Sequence, residues 1–187
     1  MEAFFVSLSA VAIAEIGDRT QLLSLMLVCC YRKPWAILAG IVLATLANHS
    51  LAGLAGILIA DWLTPRVLDT IVAVTLLGMA GWTLIPDKEG AAPDCSSRNV
   101  FLTTLWLFFL AEIGDKTQIA TTALAAAYHN LFLVVAGSTL GLILANAPVL
   151  FLGNAFAARL PLKTIRIGAA CLFAVLAVVF ALRAVFA

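Results

Sequence analysis

Charge is what this sequence has least of. Of its 187 residues, 11 are Lys or Arg and 10 are Asp or Glu, while 64% are hydrophobic and the mean hydropathy is +1.10. A water-soluble domain of this size needs far more polar surface than that. The net charge of +1, with no basic tract set apart from the loops, excludes nucleic acid as a partner. The four cysteines, Cys29, Cys30, Cys95 and Cys171, lack C-x-x-C or zinc spacing. They are read as small residues of membrane helices, with Cys95 a reduced thiol in a cytoplasmic loop. The start of the chain lacks the positive n-region of a signal peptide, so Phe4 to Ala12 is read as part of a retained membrane span.

What the chain does have is apolar length. Six stretches, approximately 3–30, 35–60, 67–86, 100–127, 131–158 and 164–186, each reach the roughly 20 residues needed to cross a bilayer. The expected fold is therefore an all-α membrane protein of six transmembrane helices. The one polar, Pro/Gly-punctuated stretch, Pro86 to Asp94, reads as a linker. It divides the chain into a first three-helix unit (1–86), a cytoplasmic linker (87–99) and a second three-helix unit (100–187).

The two units are copies. Ala14-Glu15-Ile16-Gly17-Asp18-Arg19-Thr20-Gln21 returns 97 positions later (111 − 14) as Ala111-Glu112-Ile113-Gly114-Asp115-Lys116-Thr117-Gln118. The same offset, without a gap, pairs Leu27 with Leu124, Tyr31 with Tyr128, Gly40 with Gly137 and Gly56 with Gly153. Three helices per unit is an odd number, so the second unit enters the membrane from the opposite side. Such inverted repeats recur in secondary transporters, with the site near the midplane between them. The loops after spans one, three and five hold Arg32, Lys33, Lys88, Arg98, Arg159, Lys163 and Arg166, against Arg66 and Arg183 opposite. That asymmetry makes those loops cytoplasmic and both termini periplasmic.

Acids inside apolar spans carry the functional reading. A charge at the bilayer centre costs roughly 2.5–3.5 kcal/mol even on insertion scales, so such residues face a protein interior or a wet cavity and serve a purpose. On continuous helices, Glu15, Asp18 and Gln21 share one face about 120° wide, as do Glu112, Asp115 and Gln118. Brought together, they offer four carboxylates and two amide carbonyls, a hard oxygen cage for Mn²⁺, Ca²⁺ or Mg²⁺. Each motif holds two acids and one base, so the pair carries −2, which one divalent cation or two protons would neutralise. Arg19 and Lys116 follow Glu15 and Glu112 by four residues, the spacing of a helical ion pair, and are read as ion-pair or gating residues. Gly17 and Gly114 mark either a helix break that exposes carbonyls or a close helix approach. Accessory positions are Thr20 and Thr117, which either ligate or bond back to the preceding turn, and Asn48, Asn146 and His49. A nitrogen ligand from His49 would tilt selectivity toward Mn²⁺. His129 is read as solvated, Pro148 as a kink in the fifth span, and the helix-two and helix-five glycines as points of close packing.

The duplicated E-x-G-D-[KR]-[TS] signature, Glu15 to Thr20 and Glu112 to Thr117, resembles a family of small membrane proteins found in bacteria, chloroplasts and the Golgi. The resemblance covers essentially the whole chain. It implies a secondary transporter of Mn²⁺, in some relatives also Ca²⁺, exchanged for protons, with the motif acids as ligands and no cofactor. It also implies metal homeostasis by efflux across a bacterial inner membrane. Partners read from the sequence are divalent metal ions, protons and the lipid bilayer, with room for a homo-oligomer. Two rivals share the acids. A passive cation channel would show no uphill movement, and an intramembrane aspartyl protease would need a G-x-G-D motif where Glu15 stands in place of the first glycine.

Overall fold

The computed structural model describes residues 1–86, 95–153 and 160–186, all of whose regular elements are helical. Among the described residues eight helices follow one another: α1 (Glu2–Glu15), α2 (Arg19–Tyr31), α3 (Pro34–Ala60), α4 (Pro65–Thr83), α5 (Val100–Glu112), α6 (Lys116–Tyr128), α7 (Leu131–Leu152) and α8 (Leu162–Phe186). Four of them, α3, α4, α7 and α8, are long and apolar enough to cross a membrane. The stretches 3–30 and 100–127, read from sequence as single spans, are instead each a pair of short helices.

The breaks have a local cause. Helix α1 stops because Ile16 turns extended (φ −67, ψ 118) and Gly17 takes φ +80; α5 stops at Ile113 (φ −62, ψ 119) and Gly114, φ +73. A side chain at that φ clashes with its own backbone, so glycine is the residue that allows the turn. Asp18 and Asp115, both extended, then begin α2 and α6 at their N-cap positions. Each break leaves helix-end amides without intrahelical partners. The glutamine of each motif folds back to one of them: Gly17 N–H donates to Gln21 Oε1 at 2.9 Å, and Gly114 N–H to Gln118 Oε1 at 2.6 Å. The single acidic face expected over Glu15 to Gln21 is therefore absent, since the break falls between its first two members.

Other punctuation follows the usual rules. Pro34 and Pro65 open α3 and α4 at positions that need no N–H. Asn99 and Asn130 cap α5 and α7, accepting from Leu102 N–H and Leu133 N–H. At matched positions Arg32 and His129 end α2 and α6 in the left-handed conformation. Helix α7 continues through Pro148 to Leu152.

Small residues set the packing. At Gly137 and Gly141 a Cβ would collide with the Phe4 and Leu8 carbonyls of α1, and at Gly56 with the Thr122 carbonyl of α6. These are the close backbone approaches that glycine permits in membrane bundles, as the sequence suggested; Gly153, read the same way, instead ends α7 at φ +65 with nothing packed on it among the described residues. Helix α3 thereby lies against α5, α6 and α7, and α1 against α7, while α4 and α8 pair with each other. Two faces result. One carries the termini and the turns 61–64 and 129–130; the other carries 32–33, 84–86 and 95–99.

On the second face Cys30, near the end of α2, forms a disulfide with Cys95, just ahead of α5, the Cα atoms 5.5 Å apart. Cys95 is thus not the lone reduced thiol expected, because the fold brings two segments 65 residues apart into register. Most of the expected linker, 87–94, lies outside the described residues.

Candidate metal centre

The two breaks meet. Oxygens of Glu15, Asp18 and Asp115, all buried, lie within 4.8 Å of one another. Glu15 closes α1, and Asp18 and Asp115 open α2 and α6, so the cluster draws on both copies of the motif. Both carboxylate oxygens of Glu15 are buried without a hydrogen-bond partner among the described residues. An acid is costly to bury in that condition unless a cation or proton occupies its face.

The bases cross over between copies. Lys116 Nζ sits 2.9 Å from Asp18 Oδ1, and Arg19 Nη2 sits 3.2 Å from Asp115 Oδ1 while also donating to the Ala111 carbonyl at 2.7 Å. The sequence spacing suggested pairs within each motif, Arg19 with Glu15 and Lys116 with Glu112. That spacing requires an unbroken helix, and the turns at Gly17 and Gly114 remove it. Each base consequently serves the other copy's aspartate.

The fourth carboxylate stands apart. Glu112 closes α5 and accepts from Thr45 Oγ1 at 2.7 Å and from Asn48 Nδ2 at 3.4 Å, both on α3. The 97-residue offset puts Leu142 and Ala145 where Thr45 and Asn48 stand; on α7 Glu15 has instead the Asn146 amide beside it, one residue on, without a full hydrogen bond. Two glutamates equivalent in sequence are therefore unequal in surroundings. Thr45 was missed in the sequence reading; a hydroxyl one turn before Asn48 on an apolar helix was the available signal.

The remaining candidates scatter. Gln21 and Gln118 spend their carbonyls on the breaks, and Gln21 Nε2 donates to the Ala145 carbonyl. Thr117 Oγ1 lies 3.3 Å from Asp115 Oδ2, and Thr20 is buried at the start of α2. Asn48 also donates to the Phe109 carbonyl. Asn146 accepts from Ser24 at 2.6 Å and donates to the Leu142 carbonyl, and His49 Nδ1 pairs with Ser138 at 2.8 Å. His49 is not part of the carboxylate cluster, whereas the Asn146 side chain lies beside Glu15, one of its members. His129 is exposed, as read, and faces Asp61 at 3.3 Å.

A buried, oxygen-only set of acids with two bases held alongside has the donor chemistry that suits a hard or borderline cation. The comparisons agree on the class of protein. A family model described as "Divalent cation/proton antiporter GDT1" matches residues 3–91 and 100–186. The chain belongs to the GDT1 family. A Vibrio cholerae protein named "Putative manganese exporter" is 50% identical over 178 residues, covering 95% of this chain and 89% of its own length. A GDT1-like protein of Synechocystis is 28% identical over 200 residues, covering 96% of each chain. GDT1-like protein 4 of Oryza sativa subsp. indica is 28% identical over 191 residues, 88% of this chain and 67% of its own. No solved structure matches. Membership puts the chain among transporters of divalent cations, and the signature acids of this GDT1 member are the ones gathered at the two breaks.

Proposed function

We propose that the chain exports Mn²⁺ across a bacterial inner membrane in exchange for protons, with Ca²⁺ a weaker substrate. Supporting this is one observation above the rest: three buried carboxylates from both motif copies meet within 4.8 Å. A cation equidistant from three such oxygens would lie at most about 2.8 Å from each, close to the 2.3–2.6 Å of Ca²⁺ and reaching the shorter bonds of Mn²⁺ with a small contraction. Glu15, Asp18 and Asp115 are the ligands, and Arg19 and Lys116 hold the aspartates when the cation leaves. Glu112 balances the site's charge from its place on Thr45 and Asn48. With two bases and four acids the site carries −2, so one divalent ion or two protons satisfies it, which is the electrostatic basis of exchange.

The topology that suits this reading has six spans in two inverted units, 1–86 and 100–187, joined by the linker 87–99. Two of the spans are discontinuous, α1–α2 and α5–α6, with their breaks at the midplane as in other secondary transporters. The face carrying 32–33, 84–86 and 95–99 is cytoplasmic and the termini periplasmic, because the sequence puts seven Lys or Arg in the loops after spans one, three and five against two in the others. On a cytoplasmic face the Cys30–Cys95 disulfide would be reduced to two adjacent thiols; charge, not cysteine pairing, directs insertion.

Mn²⁺ binding to the purified protein, read by the loss of the free-ion electron paramagnetic resonance signal, tests the site. The intact protein should take up Mn²⁺ stoichiometrically and Asp115→Asn should lose it by at least tenfold in affinity. Equal binding by both would remove Asp115, and with it the cross-motif site.

A further inference from the structure

The two copies occupy unequal surroundings. Under the 97-residue correspondence α1 matches α5, α2 matches α6, α3 matches α7 and α4 matches α8. Toward the face with the termini, α6 packs on α4 and α1 packs on α8. A buried apolar cluster fills that side with residues such as Ala10 of α1, Leu76 of α4, Leu124 of α6 and Phe173 of α8. The repeat equivalents of those contacts would be α2 on α8 and α5 on α4, toward the linker face. Among the described residues neither pair makes more than a marginal contact. The second apolar cluster joins Leu27 of α2, Ile41 of α3, Phe108 of α5 and Leu150 of α7, and includes no residue of α4 or α8.

The bases report the same difference. Lys116, at the start of α6 on the terminal side of the breaks, has a side chain 4% exposed, whereas Arg19, at the start of α2 on the linker side, is 41% exposed. A chemically matched pair would be equally buried if the two sides were closed alike.

We propose that the structure is the linker-face-open state of an alternating-access cycle, with the Lys116–Asp18 pair as the closed gate toward the terminal face. Arg19, on Asp115, stands at the open mouth. Inverted repeats exchange their conformations in the opposite state. Helices α4 and α8 would then leave α6 and α1 and settle on α5 and α2, burying Arg19 and exposing Lys116. Cargo reaches the carboxylates past Arg19 in one state and leaves past Lys116 in the other. The assignment rests on the transport reading of the same site.

Cross-linking tests it without measuring flux, so its failure leaves the cation site standing, while failure of the transport reading shows separately, in the Mn²⁺ titration. Val72 of α4 and Ala123 of α6 line one crevice on the terminal side. Their repeat equivalents are Ala169 of α8 and Met26 of α2. With Cys29, Cys30, Cys95 and Cys171 changed to Ser, metal-free membranes carrying Val72→Cys with Ala123→Cys should join through a short bis-maleimide. Met26→Cys with Ala169→Cys should join at least fivefold more slowly. Adding Lys116→Ala opens the terminal gate and should narrow or reverse that ratio. Equal joining of the two pairs, or a ratio unmoved by Lys116→Ala, overturns the proposal. If Lys116→Ala does not fold, maleimide labelling at matched positions that keep both bases decides: Leu23→Cys of α2 should react at least fivefold faster than Ala120→Cys of α6, and equal rates overturn the proposal.

Discussion

The two motif glutamates, identical in sequence context, should respond oppositely to neutralisation. Glu15 sits within 4.8 Å of two other carboxylates and makes no full hydrogen bond among the described residues, the Asn146 amide lying beside it. Two unit charges at that separation repel by about 3.5 kcal/mol at an effective dielectric constant of 20. Glu15→Gln removes at most two such repulsions, and a proton held by the site when metal is absent, together with relaxation, reduces the gain to the order of 1–2 kcal/mol. At about 2–4 °C per kcal/mol for a chain of this length, the metal-free protein should melt roughly 2–8 °C higher. Glu112 instead accepts from Thr45 and Asn48. Glu112→Gln trades two charge-assisted bonds, each worth about 1.5–3 kcal/mol, for neutral ones and turns an amide toward Asn48, so it should melt lower. Both variants should lose export. The assay is thermal unfolding in detergent with a chelator present, followed by tryptophan fluorescence. Shifts of the same sign and similar size would refute the unequal roles drawn from the structure.

Three further outcomes follow from the same geometry. Gly17→Ala and Gly114→Ala force a side chain into positive φ and should each cost on the order of 1–2 kcal/mol; Gly17 should suffer more, since Leu162 covers it while Gly114 faces open space, and chemical denaturation of purified protein compares them. Gly137→Ala drives a methyl into the Phe4 carbonyl and should destabilise by about 1–3 kcal/mol, separating α7 from α1, whereas Gly168→Ala, with nothing near, should be neutral by the same measurement. Mn²⁺ affinity should fall as pH drops, because carboxylates must be ionised to hold the metal and protons compete for them; calorimetry at several pH values in buffers of different ionisation enthalpy should register proton release, and none released would contradict exchange.

The sequence made the membrane class, the repeat and the acids visible because each leaves a long or duplicated trace: apolar runs, a 97-residue offset, charge where lipid forbids it. Pairing across the site was hidden. Nothing in Glu15-Ile16-Gly17-Asp18 states whether glycine breaks the helix or merely admits a neighbour, and that choice decides whether Arg19 meets Glu15 or Asp115. The division between Glu15 and Glu112 was half-visible, since Thr45 and Asn48 map onto Leu142 and Ala145 by the same offset that revealed the motif. The Cys30–Cys95 pair was not visible, because pairing depends on where α2 ends relative to the segment before α5.

Uphill flux is the most direct test of the central claim. Proteoliposomes loaded with Mn²⁺, with membrane voltage clamped, should release it against its own gradient when the outside is made acidic, and Asp18→Asn and Asp115→Asn vesicles should not. Mn²⁺ release that ignores the imposed pH difference, or that continues in both aspartate variants, would contradict exchange through a site shared by the two motifs.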